Sequence, residues 1–331
     1  MIRKKPKYFY TKSIFAKMLI PLSLFYILVF AIVKFKISKP KKICKKTICV
    51  GNIVLGGSGK TPVCIALCEA LKNRNCDVCF ISKGYGRHLK DNFIIPHNHN
   101  ALFNYKEVGD ESLILSDYAD VFVVNKREKS KTNNYDIAIC DDGYFDETIK
   151  KDCNIVVFDG TFFVGNGYVF PAGNLRYKMK SLKKADFVII TNAKKTDFEK
   201  YKAMISKYVN KNNILSASFQ PSSKHNFKNR YLAFSGIGEN QKFFNSLQDY
   251  GLKVVNFIQF GDHQEYTNVN MLNGIRDKLE ASGADKVITT RKDYVKLPKF
   301  FCYDLNIEVF DIECKIDNID RIVSFVLDDK K

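Results

Sequence analysis

From residue 47 onward the chain alternates short apolar runs with helix-length stretches. Thr47-Ile48-Cys49-Val50-Gly51-Asn52-Ile53 reads as a buried strand and is followed by a glycine-rich turn. Residues 61–73 then place Val63, Ala66, Leu67, Ala70 and Leu71 at helical spacing, and Asp77 to Ser82 forms the next apolar run. Further strands are predicted at 121–124, 135–140, 154–158, 186–191, 231–235, 253–259 and 286–290. Runs of Val, Ile and Phe separated by helix-length segments indicate parallel strands joined by crossover helices. The expectation is an α/β fold with a doubly wound, mainly parallel sheet, which binds ligands beyond the carboxyl ends of its strands. Lys- and Asn-rich sequence gathers at 192–228 and marks a lobe boundary. This divides the chain into a core of 47–200 and a smaller α/β lobe of 201–331 packed on it.

Before the first strand the pattern is different. Residues 18–33 are 16 uncharged residues in a row, flanked by Lys17 and Lys34. As a helix they span about 24 Å, short of the roughly 30 Å of a bilayer's hydrocarbon core. No small-residue cleavage site follows, so a secretory signal is not expected. With basic residues at both ends, the positive-inside rule gives no direction of crossing. A helix lying in the membrane interface with its lysines on anionic headgroups fits this pattern, and a buried core helix is the plain alternative. Residues 1–46 are therefore expected to form a membrane-associated helix with basic flanks.

Charge changes the picture only modestly. The chain carries 53 Lys+Arg against 35 Asp+Glu, a net +18. Such a balance favours an anionic partner, although lysines scattered over a solvated surface would give the same sum. They cluster at Lys4, Lys5 and Lys7 and again from Lys34 to Lys46. Most of the 10 cysteines, such as Cys49, Cys64, Cys68 and Cys140, sit singly inside apolar runs and read as buried free thiols.

The segment that carries chemistry is Gly56-Gly57-Ser58-Gly59-Lys60-Thr61, between a strand and a helix. Glycines let successive backbone N–H groups turn inward around phosphate oxygens, a lysine neutralises the terminal phosphates, and a hydroxyl holds Mg²⁺. The spacing departs from the usual P-loop, whose first glycine would fall at Val54. A metal-holding acid is expected at the end of a neighbouring strand, and Asp141-Asp142 follow the apolar run 135–140. Asp110-Glu111 after Gly109, and His263 after Gly261-Asp262, supply a carboxylate and an imidazole of the kind that deprotonates an acceptor hydroxyl.

These segments together resemble the tetraacyldisaccharide 4′-kinase family. The likeness runs through Val50-Gly51-Asn52 into Gly56 to Pro62, then Ser82-Lys83-Gly84-Tyr85-Gly86, Val108-Gly109-Asp110-Glu111 and Asp141-Asp142-Gly143. It continues through Val157-Phe158-Asp159-Gly160, Gly165-Asn166-Gly167 and Phe170 to Arg176. Phe234 to Gly238, Phe260-Gly261-Asp262-His263 and Thr289-Thr290-Arg291-Lys292-Asp293 complete it, so it spans nearly the whole chain.

The resemblance implies a P-loop NTPase-like kinase that transfers the γ-phosphoryl of ATP, with Mg²⁺, to the 4′-hydroxyl of a tetraacyl disaccharide 1-phosphate in lipid A biosynthesis. It implies ATP binding by Gly56, Gly57, Ser58, Gly59, Lys60 and Thr61, and metal binding by Thr61, Asp141 and Asp142. Asp110 and His263 become the catalytic pair, and Glu111, Arg127 and Arg176 become contacts to substrate or phosphate. The expected partners are that lipid and the inner leaflet of the cytoplasmic membrane, with no nucleic acid. The protein is then expected at the cytoplasmic face of the inner membrane, peripheral or monotopic. Three positions depart from the family pattern. Tyr144-Phe145 stand where a glutamine or similar residue and a histidine usually follow, Tyr177 stands where an acid commonly does, and Lys83 replaces an arginine.

The rival reading is a membrane-associated P-loop ATPase that acts as a switch. A GTPase would show Asn-Lys-x-Asp, which Thr191-Asn192-Ala193-Lys194 matches poorly, and related switch ATPases carry an extra lysine where this chain has Leu55.

Overall fold

The computed structural model describes residues 6–34, 39–88, 90–99 and 102–328, with only the backbone of 30–34. The flanking lysines Lys4, Lys5 and Lys36, and the side chain of Lys34, lie outside the described residues. Every strand read from the sequence is present. Strands β1 (Lys46–Gly51), β2 (Val78–Ser82), β3 (Phe93–Ile95), β4 (Val121–Val123), β5 (Ile137–Cys140), β6 (Cys153–Asp159), β7 (Phe187–Thr191) and β8 (Ile214–Pro221) come first along the chain. β9 (Arg230–Ser235), β10 (Lys253–Gln259), β11 (Lys286–Thr290), β12 (Glu308–Phe310) and β13 (Ile312–Ile316) follow.

Nine strands form one sheet in the order β13-β8-β7-β6-β1-β5-β2-β4-β3. All its pairings are parallel except the two at its edges, β13 with β8 and β3 with β4. The central strands are apolar on both faces, as parallel strands covered by helices must be; β2, β5 and β7 are buried throughout. A second sheet, β10-β9-β11-β12, is parallel throughout.

The division of the chain differs from the expected boundary at residue 200. The polar stretch 192–228 contains the helix Lys195–Ile205 and β8, and β8 belongs to the large sheet. The chain leaves for the small sheet only after Pro221 and returns at Asp311, so that β13 and the helix Ile319–Leu327 close the large lobe. β8 is buried from Ile214 to Ala217 except at Ser216 and only partly covered beyond, a pattern too irregular to stand out from its Lys/Asn-rich surroundings.

The N-terminal segment forms α1 (Ile14–Met18) and α2 (Ile20–Lys34). Ser23 donates to the Val169 carbonyl at 2.7 Å and accepts from the Ala172 N–H at 3.2 Å. Tyr26 and Ile27, one turn on, pack against the core under β6 and β7. These three positions define the inward face. Outward, Ile14, Phe15, Met18, Leu22, Leu24, Phe25 and Leu28 are each more than half exposed. The alternative of a buried core helix is therefore not what is seen. Among the described residues, no helix is long and apolar enough to cross a membrane.

All ten cysteines are free, and all but Cys76 are buried. One spacing departs from the reading of isolated thiols: Cys76 and Cys79 make a C-x-x-C pair. Cys79 lies inside β2 and Cys76 in the turn before it, and no metal-holding group of His, Cys, Asp or Glu forms among the described residues.

Candidate active site

β1 and β5 are neighbours in register at the middle of the large sheet, so the loop after β1 and the acids after β5 emerge side by side. After Gly51 the chain does not turn at once. Val54 pairs antiparallel with Leu175, the Arg176 N–H donates to the Ile53 carbonyl, and the Leu55 N–H donates to the Asn174 carbonyl. This extra strand-like step explains why no glycine is needed at 54. The left-handed bends fall instead on Gly56 (φ 101°) and Gly59 (φ 78°). Buried Asn52 ties the loop from beneath, donating to the Gly56 carbonyl and the Ser58 hydroxyl, both at 3.1 Å. α3 (Lys60–Lys72) starts at the loop's end, so its first N–H groups and positive end face the same space.

Thr61 Oγ1 donates to Asp141 Oδ2 at 3.3 Å. Asp142 lies between two cations, 3.6 Å from Lys60 Nζ and 3.7 Å from Arg176. Asp141 is 5% exposed, and its Oδ1 is buried without a partner. Burial, reinforced by the charge of Glu111 and opposed by Lys60, pushes the Asp141 carboxyl up to about 6. A buried carboxylate oxygen with no donor, beside a threonine hydroxyl, suits a small hard cation, so Thr61 and Asp141 fit Mg²⁺.

Beside this site stand Asp110 and Glu111 of the large lobe, and across it His263 and Lys292 of the small lobe. Gly109 (φ 89°) packs directly on Gly84 and starts α4 (Asp110–Ser116), with Asp110 and Glu111 in its first turn. His263, in the loop after β10, has its Nδ1 4.0 Å from Asp110 Oδ2, an ionic contact longer than a hydrogen bond. Lys292, on the short helix Arg291–Tyr294, donates to Glu111 at 3.0 Å and lies 3.9 Å from Asp110 Oδ2. Burial works to raise the Glu111 carboxyl, but Lys292 outweighs it and holds the group below the usual carboxylate range.

Arg127 is placed differently from the expectation of a phosphate contact. Its side chain is 2% exposed, it pairs with Asp146 at 3.0 Å and it donates to the backbone carbonyl of Asp141. It therefore supports the Asp141 turn from below. The departures from the family pattern meet one another. Phe145 and Tyr177 stack with centroids 3.4 Å apart, and Tyr144 packs under Gly51 while donating to the Ser181 carbonyl at 2.8 Å. Lys83 Nζ lies 3.9 Å from Asp146.

The sequence reading gave no role to Asn52 or Lys292, although both stand inside quoted segments. The signal for Asn52 was its position between the strand and the first glycine. Lys292 offered none, because its partners are 181 residues away.

A model of the tetraacyldisaccharide-1-P 4′-kinase family, LpxK, matches residues 15–328. The tetraacyldisaccharide 4′-kinase of Rickettsia canadensis is 36% identical over 318 residues, covering 95% of this chain and 93% of that protein. The tetraacyldisaccharide 4′-kinase of Rickettsia rickettsii is 34% identical over 322 residues, 96% of each. Among solved structures, LpxK from Aquifex aeolicus in complex with ATP aligns with a TM-score of 0.74 at 24% identity, covering 95% of this chain and 98% of that one. With a family match across nearly its whole length and relatives above a third identical, the chain belongs to the tetraacyldisaccharide-1-P 4′-kinase family.

Proposed function

We infer that the protein transfers the γ-phosphoryl of ATP to the 4′-hydroxyl of a tetraacyl disaccharide 1-phosphate, a step of lipid A biosynthesis. The observation that carries this reading is a cleft of about 260 Å³ lined by Tyr26, Leu55, Asp142, Tyr144, Phe145, Arg176 and Tyr177. It runs from the phosphate side of the site to the helix α2, whose outer face is apolar. Its two ends are thus the phosphate side, at Asp142 and Arg176, and Tyr26 on the inner face of that helix. The family's kinase members favour this reading over a switch ATPase, which has no use for such an opening.

In this reading the loop Gly56 to Thr61 cradles the phosphates through its N–H groups, and Lys60 neutralises them. Thr61 and Asp141, with Asp142 alongside, would hold Mg²⁺, whose charge offsets that of the phosphate oxygens. His263, oriented by Asp110, takes the hydroxyl proton as the acceptor oxygen bonds to phosphorus and the bond to the β-phosphate oxygen breaks, releasing ADP. Arg176 is available to an acceptor phosphate or to the nucleotide. The apolar faces of α1 and α2 are read as lying in the cytoplasmic leaflet of the inner membrane, peripheral or monotopic.

The test is transfer from labelled ATP to a tetraacyl disaccharide 1-phosphate in detergent micelles. A phosphorylated lipid that loses its new phosphate to a phosphomonoesterase supports the reading. ATP hydrolysis with no labelled lipid would return the switch ATPase.

A further inference from the structure

The two halves of the proposed base pair belong to different lobes, and a second small-lobe side chain grips the same place. Lys292 Nζ is 3.0 Å from Glu111 Oε1 and 3.9 Å from Asp110 Oδ2, the oxygen that His263 Nδ1 approaches to 4.0 Å. Lys292 and His263 are carried by one frame. Fully buried Asp293, next to Lys292, accepts from the Gly236 N–H at 3.0 Å, the Thr290 hydroxyl at 2.7 Å and the Tyr266 hydroxyl at 3.0 Å. Gly236 lies so close to Gln264 that an added Cβ would come within 2.5 Å of the Gln264 Cβ. The loop bearing His263 and the helix bearing Lys292 are therefore fixed to each other.

On the facing lobe, Glu111, next to Asp110 at the start of α4, lies near enough to Asp141 and Asp142 for their charges to act on one another. Left alone, four carboxylates would repel one another, and nothing would draw Asp110 toward a half-exposed histidine. Other ion pairs also cross between the lobes, Lys106 with Glu265 at 2.8 Å and Arg291 with Asp117 at 3.7 Å, but their partners lie away from the Asp110 carboxylate. Glu111 and Asp110 together outweigh the cost of burying the Lys292 ammonium and hold it above the ordinary lysine range, so it stays charged.

We propose that Lys292 is a positioning residue for phosphoryl transfer: by holding Glu111 and sharing Asp110, it sets the distance between the lobes at which Asp110 and His263 act together. This rests on the reading of Asp110 and His263 as the proton-accepting pair. Lys292 itself touches no reacting atom.

The experiment measures kcat and both KM values in micelles for full-length Lys292→Met, Lys292→Arg, His263→Ala and the double variant Lys292→Met/His263→Ala. Lys292→Met is expected to lower kcat about 100-fold, the scale of a misplacement of roughly 1 Å, with the KM for ATP within about twofold. Lys292→Arg, which keeps the charge, should recover most of the rate. The double variant should be no slower than His263→Ala, because both changes disable one unit. Thermal unfolding of each variant is followed in parallel; if Lys292→Met is unfolded, Lys292→Gln and its own double variant with His263→Ala carry the comparison. Losses that multiply, or a Lys292→Met rate within about threefold of wild type while His263→Ala is inactive, would overturn the role of Lys292 alone. A His263→Ala variant as fast as wild type would overturn the base-pair reading and this role with it.

Discussion

The two sides of the candidate site are built in opposite ways. The phosphate side stands at the centre of the large sheet, where β1 is flanked by β5 and β6 and nearly every residue is buried. Its loop is clamped by Asn52, by the 174–176 segment and by Phe219, whose ring leaves no room for a side chain at Gly59. The acceptor side ends in a loop of the other lobe, where His263 is half exposed, adopts a left-handed backbone (φ 57°) and donates its backbone N–H to its own neighbour Asp262. Phosphoryl transfer is mostly positioning and charge neutralisation. A rigid phosphate side together with an acceptor side that closes through ion pairs suits a small fixed donor and a large lipid acceptor.

The largest expected effect falls on the rigid side. Lys60→Ala should cut transfer on the order of 10³-fold, since the loop loses the cation at its own end; labelled-ATP turnover measures it, and a loss under tenfold would mean the phosphates lie elsewhere. On the adjustable side, His263→Ala should cost on the order of 10²-fold with unchanged ATP affinity, the lower end for a general base because solvent reaches this site. An equal fall in ATP affinity would erase the distinction between the two sides.

Asp141 sharpens the comparison through stability. Its carboxyl titrates at about 6 in the folded chain, raised from an ordinary 3.8. Because the folded value is the higher one, the ionised carboxylate weakens the nucleotide-free fold at neutral pH, and that penalty fades as pH falls toward the unfolded value. Asp141→Asn should therefore stabilise the nucleotide-free protein by about 2–3 kcal/mol at neutral pH and hardly at all near pH ~4, while abolishing turnover. Urea melts across pH read this directly, and a destabilised Asn variant would contradict it. The smallest effect concerns the rim of the cleft. Ser23→Ala removes the bonds to Val169 and Ala172 and should loosen α2 by about 1 kcal/mol, visible as faster amide exchange in α2 with the loop at Gly56 unaffected.

Much of the site was legible because its chemistry is local. Gly56 to Thr61 and Asp141-Asp142 each sit at a strand end, where a few consecutive residues determine the backbone bend and the residue type supplies the function. Arg127 shows where this fails. The resemblance implies that Arg127 contacts phosphate, but burial places its guanidinium against Asp146 and the Asp141 carbonyl. The membership of β8 and of the C-terminal segment in the large lobe was hidden for a related reason: β8 and β13 pair antiparallel at the sheet's edge across a long excursion of the chain, and composition carries no record of such a partner.

The sequence alone determined the strand–helix alternation, the phosphate loop and the family, because periodicity and short motifs survive in one dimension. Tertiary structure alone decided that Lys292 reaches Glu111, that Phe145 stacks on Tyr177, and that α2 turns Ser23 inward and its leucines outward. Each of these depends on side chains brought together across lobes or loops, and such distances are set by how the sheets pack.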